Sequence, residues 1–222
     1  MSSRRSALIA TTALALASAA GAADNYQYRP DRSDTLLARA SVAHLADLGT
    51  GAGWRGGATQ PDRSHPRTCL GYRPKRSDLI VTGDARSIFR YRNLMMLESR
   101  AQVFATAKML ETDWRRSALD PRIIACMRTG LADLVRSGGT LVSLTKLPLP
   151  HFAAHTSGWR AVVAVTTSRG TVDVVADLVL CADERTEVSL VQMAIITDAG
   201  TAQGMRVAEI RLARSLISRF EV

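Results

Sequence analysis

The clearest pattern of apolar and polar positions lies between Trp159 and Thr197. Three runs rich in Val, Ile and Thr, 160–167, 171–181 and 186–197, are separated by Ser168-Arg169-Gly170 and by Ala182-Asp183-Glu184-Arg185. Runs of this kind at hairpin spacing predict a three-stranded antiparallel meander. One apolar face of such a meander needs covering, which gives helices elsewhere in the chain their task.

The remaining pattern supplies those helices and more strands. A short amphipathic helix is expected over 41–48, with Ser41 as its N-cap and Gly49 as its stop. Residues 78–81 and 87–106 read as extended, the second stretch broken near Tyr91-Arg92-Asn93. A helix follows over 107–119. Asp120-Pro121 then caps a second helix to about Val135, with Ile123, Met127, Leu131 and Leu134 as its apolar stripe. Residues 140–146 form another strand, and 200–222 the last helix, with Met205, Leu212, Leu216 and Phe220 on its inner face. The order α-β-β-α-α-β-β-β-β-α, with hairpin-length links, predicts an α+β sandwich with a largely antiparallel sheet.

The first residues change the picture of where the protein works. Arg4 and Arg5 precede an uncharged Ala/Leu-rich run over 7–20, and Ala20-Gly21-Ala22 supplies a small-x-small cleavage site. The run is too short for a membrane span. Residues 1–22 therefore read as a cleaved signal peptide, using the Sec route or, through Ser3-Arg4-Arg5, a twin-arginine route. Residues 23–34, polar and interrupted by Pro30, read as a flexible leader, and 35–222 as one domain. The product is expected to be secreted or held in the cell envelope, with no transmembrane segment after cleavage. Loss of Arg4 and Arg5 takes the net charge from +9 to +7, which favours contact with anionic polymers or head groups. The arginines are scattered and aromatic residues few, so nucleic acid is not the expected partner.

Motifs with a chemical meaning mostly dissolve on inspection. Gly51-Ala52-Gly53-Trp54-Arg55-Gly56 spells G-x-G-x-x-G, but a helix precedes it and a Pro-rich loop follows, so no phosphate would meet a helix N-terminus. His151 and His155 lie in a Pro-rich stretch without the glutamate of a zinc-protease motif. There is no G-x-S-x-G elbow and no C-x-x-C pair. Asp173 and Asp177 sit about 13 Å apart along one strand, beyond the reach of a glycosidase pair. Cys181 shares their face and reads as an inert, half-buried thiol. No catalytic residue, metal or cofactor is expected.

Three cysteines, Cys69, Cys126 and Cys181, allow three pairings in an exported protein. Cys69–Cys126 is favoured: Cys69 lies in the long 49–74 loop, which needs a tether, and Cys126 at the edge of a helical stripe. Closing the nearly sixty residues between the two cysteines would contribute roughly 4 kcal/mol.

The segments Gly53-Trp54, Cys69-Leu70-Gly71-Tyr72-Arg73-Pro74, Thr82-Gly83-Asp84-Ala85, Ser99-Arg100-Ala101-Gln102-Val103, Asp113-Trp114-Arg115-Arg116 and Cys126-Met127-Arg128 make the chain resemble small secreted or lipid-anchored envelope proteins of actinobacteria. Its element order is also similar to the extracellular sensor domains of bacterial serine/threonine kinases, and to PsbP and Mog1-like domains. The resemblance implies a binding or scaffold module and supports the Cys69–Cys126 pairing. The chain lacks the kinase, the anchor and the fourth cysteine of those sensors.

These readings lead to an exported, non-catalytic binding or sensor-like module of the cell envelope, its partner a small molecule, an anionic wall polymer or an envelope protein. The rivals are a secreted hydrolase with a dispersed site and a structural interaction domain. The binding site is expected where the 49–74 loop meets the sheet, with Trp54, Arg55, Arg67 and Tyr72 as its candidate residues.

Overall fold

The computed structural model describes residues 24–49, 53–63, 72–92, 94–135, 139–168, 170–196 and 199–220. The segment 1–22, expected as a signal peptide, lies outside the described residues. Eight strands form one sheet: β1 (Gln27–Tyr28), β2 (Trp54–Thr59), β3 (Ile80–Tyr91), β4 (Met95–Phe104), β5 (Gly139–Lys146), β6 (His155–Thr167), β7 (Gly170–Asp183) and β8 (Thr186–Ile196). Their spatial order is β1-β3-β4-β8-β7-β6-β5, with β2 also on the outer side of β3. Only the β1–β3 pairing is parallel among them. The fold is a mixed α+β arrangement with an open, mostly antiparallel sheet.

Helices α1 (Arg32–Ala40) and α4 (Ala199–Ile217) cover one face of the sheet. There Ala38, Leu212, Ala213 and Leu216 meet Phe89, Leu97, Val179 and Leu190. Helix α2 (Ala107–Trp114) covers part of the other face, where Leu110 and Trp114 pack with Phe104, Trp159 and Leu180. A π-helical turn, Arg115–Leu119, leads into α3 (Arg122–Val135), which packs on β5. The β6–β8 meander provides the floor for both layers.

Three expectations need correction. Residues 24–34 are not a leader outside the domain: β1 adds to β3, and Asp31 caps α1 by accepting from the Ser33 and Asp34 amides. The first helix lies at 32–40 rather than 41–48, and Ser41 is its C-cap; 45–48 is a 3-10 turn. Asp34 fixes α1 in place, accepting from Thr82 and from both terminal nitrogens of Arg185 in the β7–β8 turn (3.1 and 2.9 Å). The third correction is that 78–81 and the start of 87–106 are one strand, β3. The small residues Gly83 and Ala85 interrupt the apolar pattern, and β2 enters the order between α1 and β3.

Gly83 is required by packing. A Cβ there would sit 2.1 Å from the Asp34 carbonyl oxygen, so α1 can cross β3 only over a bare position. Gly83→Ala is expected to lower stability by about 1–3 kcal/mol, read as a lower urea midpoint at unchanged slope.

Candidate functional site

β2 forms from Trp54-Arg55-Gly56-Gly57-Ala58-Thr59, a sequence with little intrinsic preference for a strand. Two contacts hold it against β3. The Trp54 ring lies on Tyr91, with centroids 5.5 Å apart. Gly56, at φ +138°, lets the strand come so close that a Cβ would lie 2.0 Å from the Ile88 carbonyl oxygen. In the resulting register Arg55 stands directly opposite Arg90, and Gly57 opposite Ile88. Arg92, at φ +50°, turns the chain beyond β3 with its guanidinium over the Tyr91 ring.

Arg55, Arg90 and Arg92 thus line one groove of about 830 Å³, with Gly57 and Ile88 among its walls. All three are exposed, and among the described residues none reaches a carboxylate. This contrasts with the neighbouring rungs of the sheet. Arg86 makes a two-point pair with Glu98 at 2.8 Å, and Arg100 a two-point pair with Asp84 at 3.2 and 3.1 Å. Like charges directly opposite each other on a ladder cost stability. Among the described residues the fold supplies acids for Arg86 and Arg100 and none for Arg55 and Arg90.

A second cavity, of about 370 Å³, opens where β1 and β2 leave the edge of β3 uncovered, lined by Tyr28, Thr35, Arg39, Arg63 and Asp84. Its charges are largely answered from within. Asp84 is held by Arg100 and by Arg63 at 3.7 Å, and Arg63 stacks over Tyr28 at 4.5 Å. It is the less suited of the two to a charged ligand.

The structure brings together two of the four expected binding residues. Trp54 anchors β2 and Arg55 lines the groove. Tyr72 is buried elsewhere: its hydroxyl donates to the Arg116 carbonyl, and Arg122 lies 4.5 Å over its ring. Arg67 and Cys69 lie outside the described residues. Arg90 and Arg92 carried no signal in the sequence, because they meet Arg55 only through strand register. The G-x-G-x-x-G letters run into the start of β2, an edge strand.

The other candidates have structural partners. His155 opens β6, contacts Glu111 at 2.8 Å and stacks on Trp114. Among the described residues no group of three or more His, Cys, Asp or Glu side chains is placed to hold a metal ion. None of the described helices is long and apolar enough to cross a membrane. Cys181 is a free thiol, fully buried rather than half-buried, packed with Val179 and Val188 on the face it shares with Asp177. Burial raises its pKa, and Glu187 and Glu209 add to the effect.

The most unusual ionisable group is Glu209, on the inner face of α4 and 1 % exposed. Neither carboxyl oxygen accepts a hydrogen bond. Its neighbour is Asp177, equally buried and held at both oxygens by Arg160 (Nε–Oδ1 2.7 Å). Burial, then the Asp177 charge, push the Glu209 pKa up to about 8, with Arg160 and Arg206 pulling the other way. As the neutral acid Glu209 can donate a proton to Asp177, which explains how two carboxyls share a closed interior.

No protein-family model matches the chain, and no curated protein matches it. A solved structure of an uncharacterised Mycobacterium smegmatis protein, the Rv0999 ortholog, matches at a TM-score of 0.43 and 9 % identity. The match covers 85 % of this chain and 98 % of that one.

Proposed function

We propose that this chain is an exported, non-catalytic binding module of the cell envelope that takes an anionic ligand in the Arg55–Arg90–Arg92 groove. The observation that carries the proposal is the unpaired Arg55–Arg90 rung. Two exposed arginines stand directly opposite each other in the ladder, an arrangement that costs stability, while the arginines beside them are matched with acids. An anion bridging both would remove that repulsion, and guanidiniums suit carboxylate and phosphate oxygens at two points. The groove also lies where the 49–74 segment meets the sheet, the place expected for a binding site. The PsbP/Mog1-like and kinase-sensor resemblance, and with it the actinobacterial envelope setting, belong to this proposal, as does export through a leader at 1–22.

The module is stapled, in this reading, by a Cys69–Cys126 disulfide. Support comes from Cys181 being a buried, free thiol. Peptide mapping of the non-reduced protein is expected to recover Cys69 and Cys126 in one linked fragment. Cys181 should be alkylated only after unfolding. A Cys126–Cys181 link would refute the pairing.

The test of the groove is Arg90→Glu. Opposite charges across the rung should leave stability unchanged or raise it by about 0.2–1 kcal/mol. Affinity for short-chain inorganic polyphosphate, followed by titration calorimetry, should fall at least tenfold. Binding that survives the substitution would place the ligand elsewhere.

A further inference from the structure

Two of the outer strands of the sheet, β5 and β2, are built differently. β5 carries a register shift between Leu141 and Ser143 and ends on Lys146. A bulge and an edge lysine are the devices that keep a sheet edge from accepting another strand. β2 has neither. Its six residues run in unbroken register with β3, contain no proline, and pair on one side only among the described residues. Ala58 and Thr59 are exposed, so a row of backbone groups stands open at that edge.

Its two glycines have different reasons. Gly56 is demanded by its positive φ and by the approach of Ile88, whereas a Cβ on Gly57 would meet nothing within 4 Å. Among the described residues nothing needs a bare position at 57. A glycine in a strand without an internal reason fits a place where another backbone or a ligand comes close. Gly57 lies on the arginine side of the strand, two residues from Arg55.

We propose that the free edge of β2 accepts an extended, acidic polypeptide segment as a further strand, with alternate carboxylates facing Arg55, Arg90 and Arg92. This rests on the anionic-groove reading and names the ligand class. In an added strand every second side chain falls on the groove face, at intervals of about 7 Å. Arg55 would be the direct cross-strand partner. Arg90 lies one strand further in, about 5 Å away, within the span of a guanidinium arm. Backbone pairing supplies the affinity of such a complex, and the alternate side chains its selectivity.

Fluorescence anisotropy with a labelled eight-residue peptide, glutamate at every second position, tests this. Two further peptides carry N-methyl groups on alternate residues, one set for each backbone edge. The parent peptide is expected to bind, one methylated peptide to keep its affinity, and the other to lose at least tenfold. Arg55→Ala with Arg90→Ala should also lose at least tenfold, and hydrogen exchange of amides 54–59 should slow when the parent peptide is bound. Equal binding of both methylated peptides would overturn strand addition in favour of charge attraction alone. Binding of polyphosphate without the peptide would likewise overturn it while leaving the anionic groove standing. If neither probe binds, both proposals fall.

Discussion

Replacing Arg160 with leucine is expected to cost about 3–5 kcal/mol of stability at neutral pH, because it strands a buried charge. Asp177 is 1 % exposed and its two oxygens are both held by the Arg160 guanidinium. Without that partner the carboxylate keeps Glu209 beside it on α4, a neutral acid at this pH that can give it a hydrogen bond but no counter-charge. Arg160→Lys should recover only part of it, since an ammonium cannot hold both oxygens in a fork. Urea unfolding of the three proteins at pH 7 measures this. A loss below about 1 kcal/mol at pH 7, the range of an exposed pair, would mean that Asp177 is not buried as described.

The second large effect concerns Glu209 and has the opposite pH dependence from most carboxylates. Below the ordinary glutamate range the group is protonated in both folded and unfolded chains and contributes no slope. Between that range and about pH 8 the unfolded chain has lost the proton while the folded chain keeps it, so stability falls as pH rises. Above about pH 8 both are ionised and the full penalty is in place. Each unit of upward displacement corresponds to about 1.4 kcal/mol. Glu209→Gln keeps a donor for Asp177 and cannot ionise. It should therefore match the wild type near pH 5 and exceed it increasingly towards pH 9. Asp34 works in the other direction. Burial opposes its charge, but the Arg185 and Thr82 hydrogen bonds outweigh that and hold its carboxyl below the usual range. Its contribution is lost only in strong acid. Parallel wild-type and Glu209→Gln stability curves from pH 5 to 9 would contradict the assignment.

How far the fold could be read in advance depended on whether a segment's structure arises from its own residues. The β6–β8 meander was legible because Val, Ile and Thr alternate there and the turns are marked by Gly170 and Asp183. α4 was legible from Met205, Leu212 and Leu216. Glu209 escaped notice although it falls in the same stripe, four residues after Met205, where an acid facing the core is the only available signal. β2 was not legible. Gly56-Gly57 has no strand preference, and the segment is extended because the edge of β3 offers it partners. The 41–48 stretch misled because Ser41 and Gly49 look like helix punctuation, while Asp31, which caps the real helix, sat in a stretch read as leader. The groove was half legible. Arg55 stood out in an unusual loop, but Arg90 lies 35 residues away and joins it only through register.

Asp177, Asp84 and Asp34 are each matched with an arginine across elements. At the β2–β3 edge three arginines are left open to solvent on a glycine-bearing strand. That contrast is the basis for reading the molecule as a rigid scaffold that offers one basic groove.

Chemical-shift mapping during titration with short-chain polyphosphate tests that reading most directly. The account predicts perturbations concentrated in residues 53–59 and 88–92, diminished by Arg90→Glu. Perturbations centred instead on Tyr28, Thr35 and Arg39, or none at saturating probe, would contradict it.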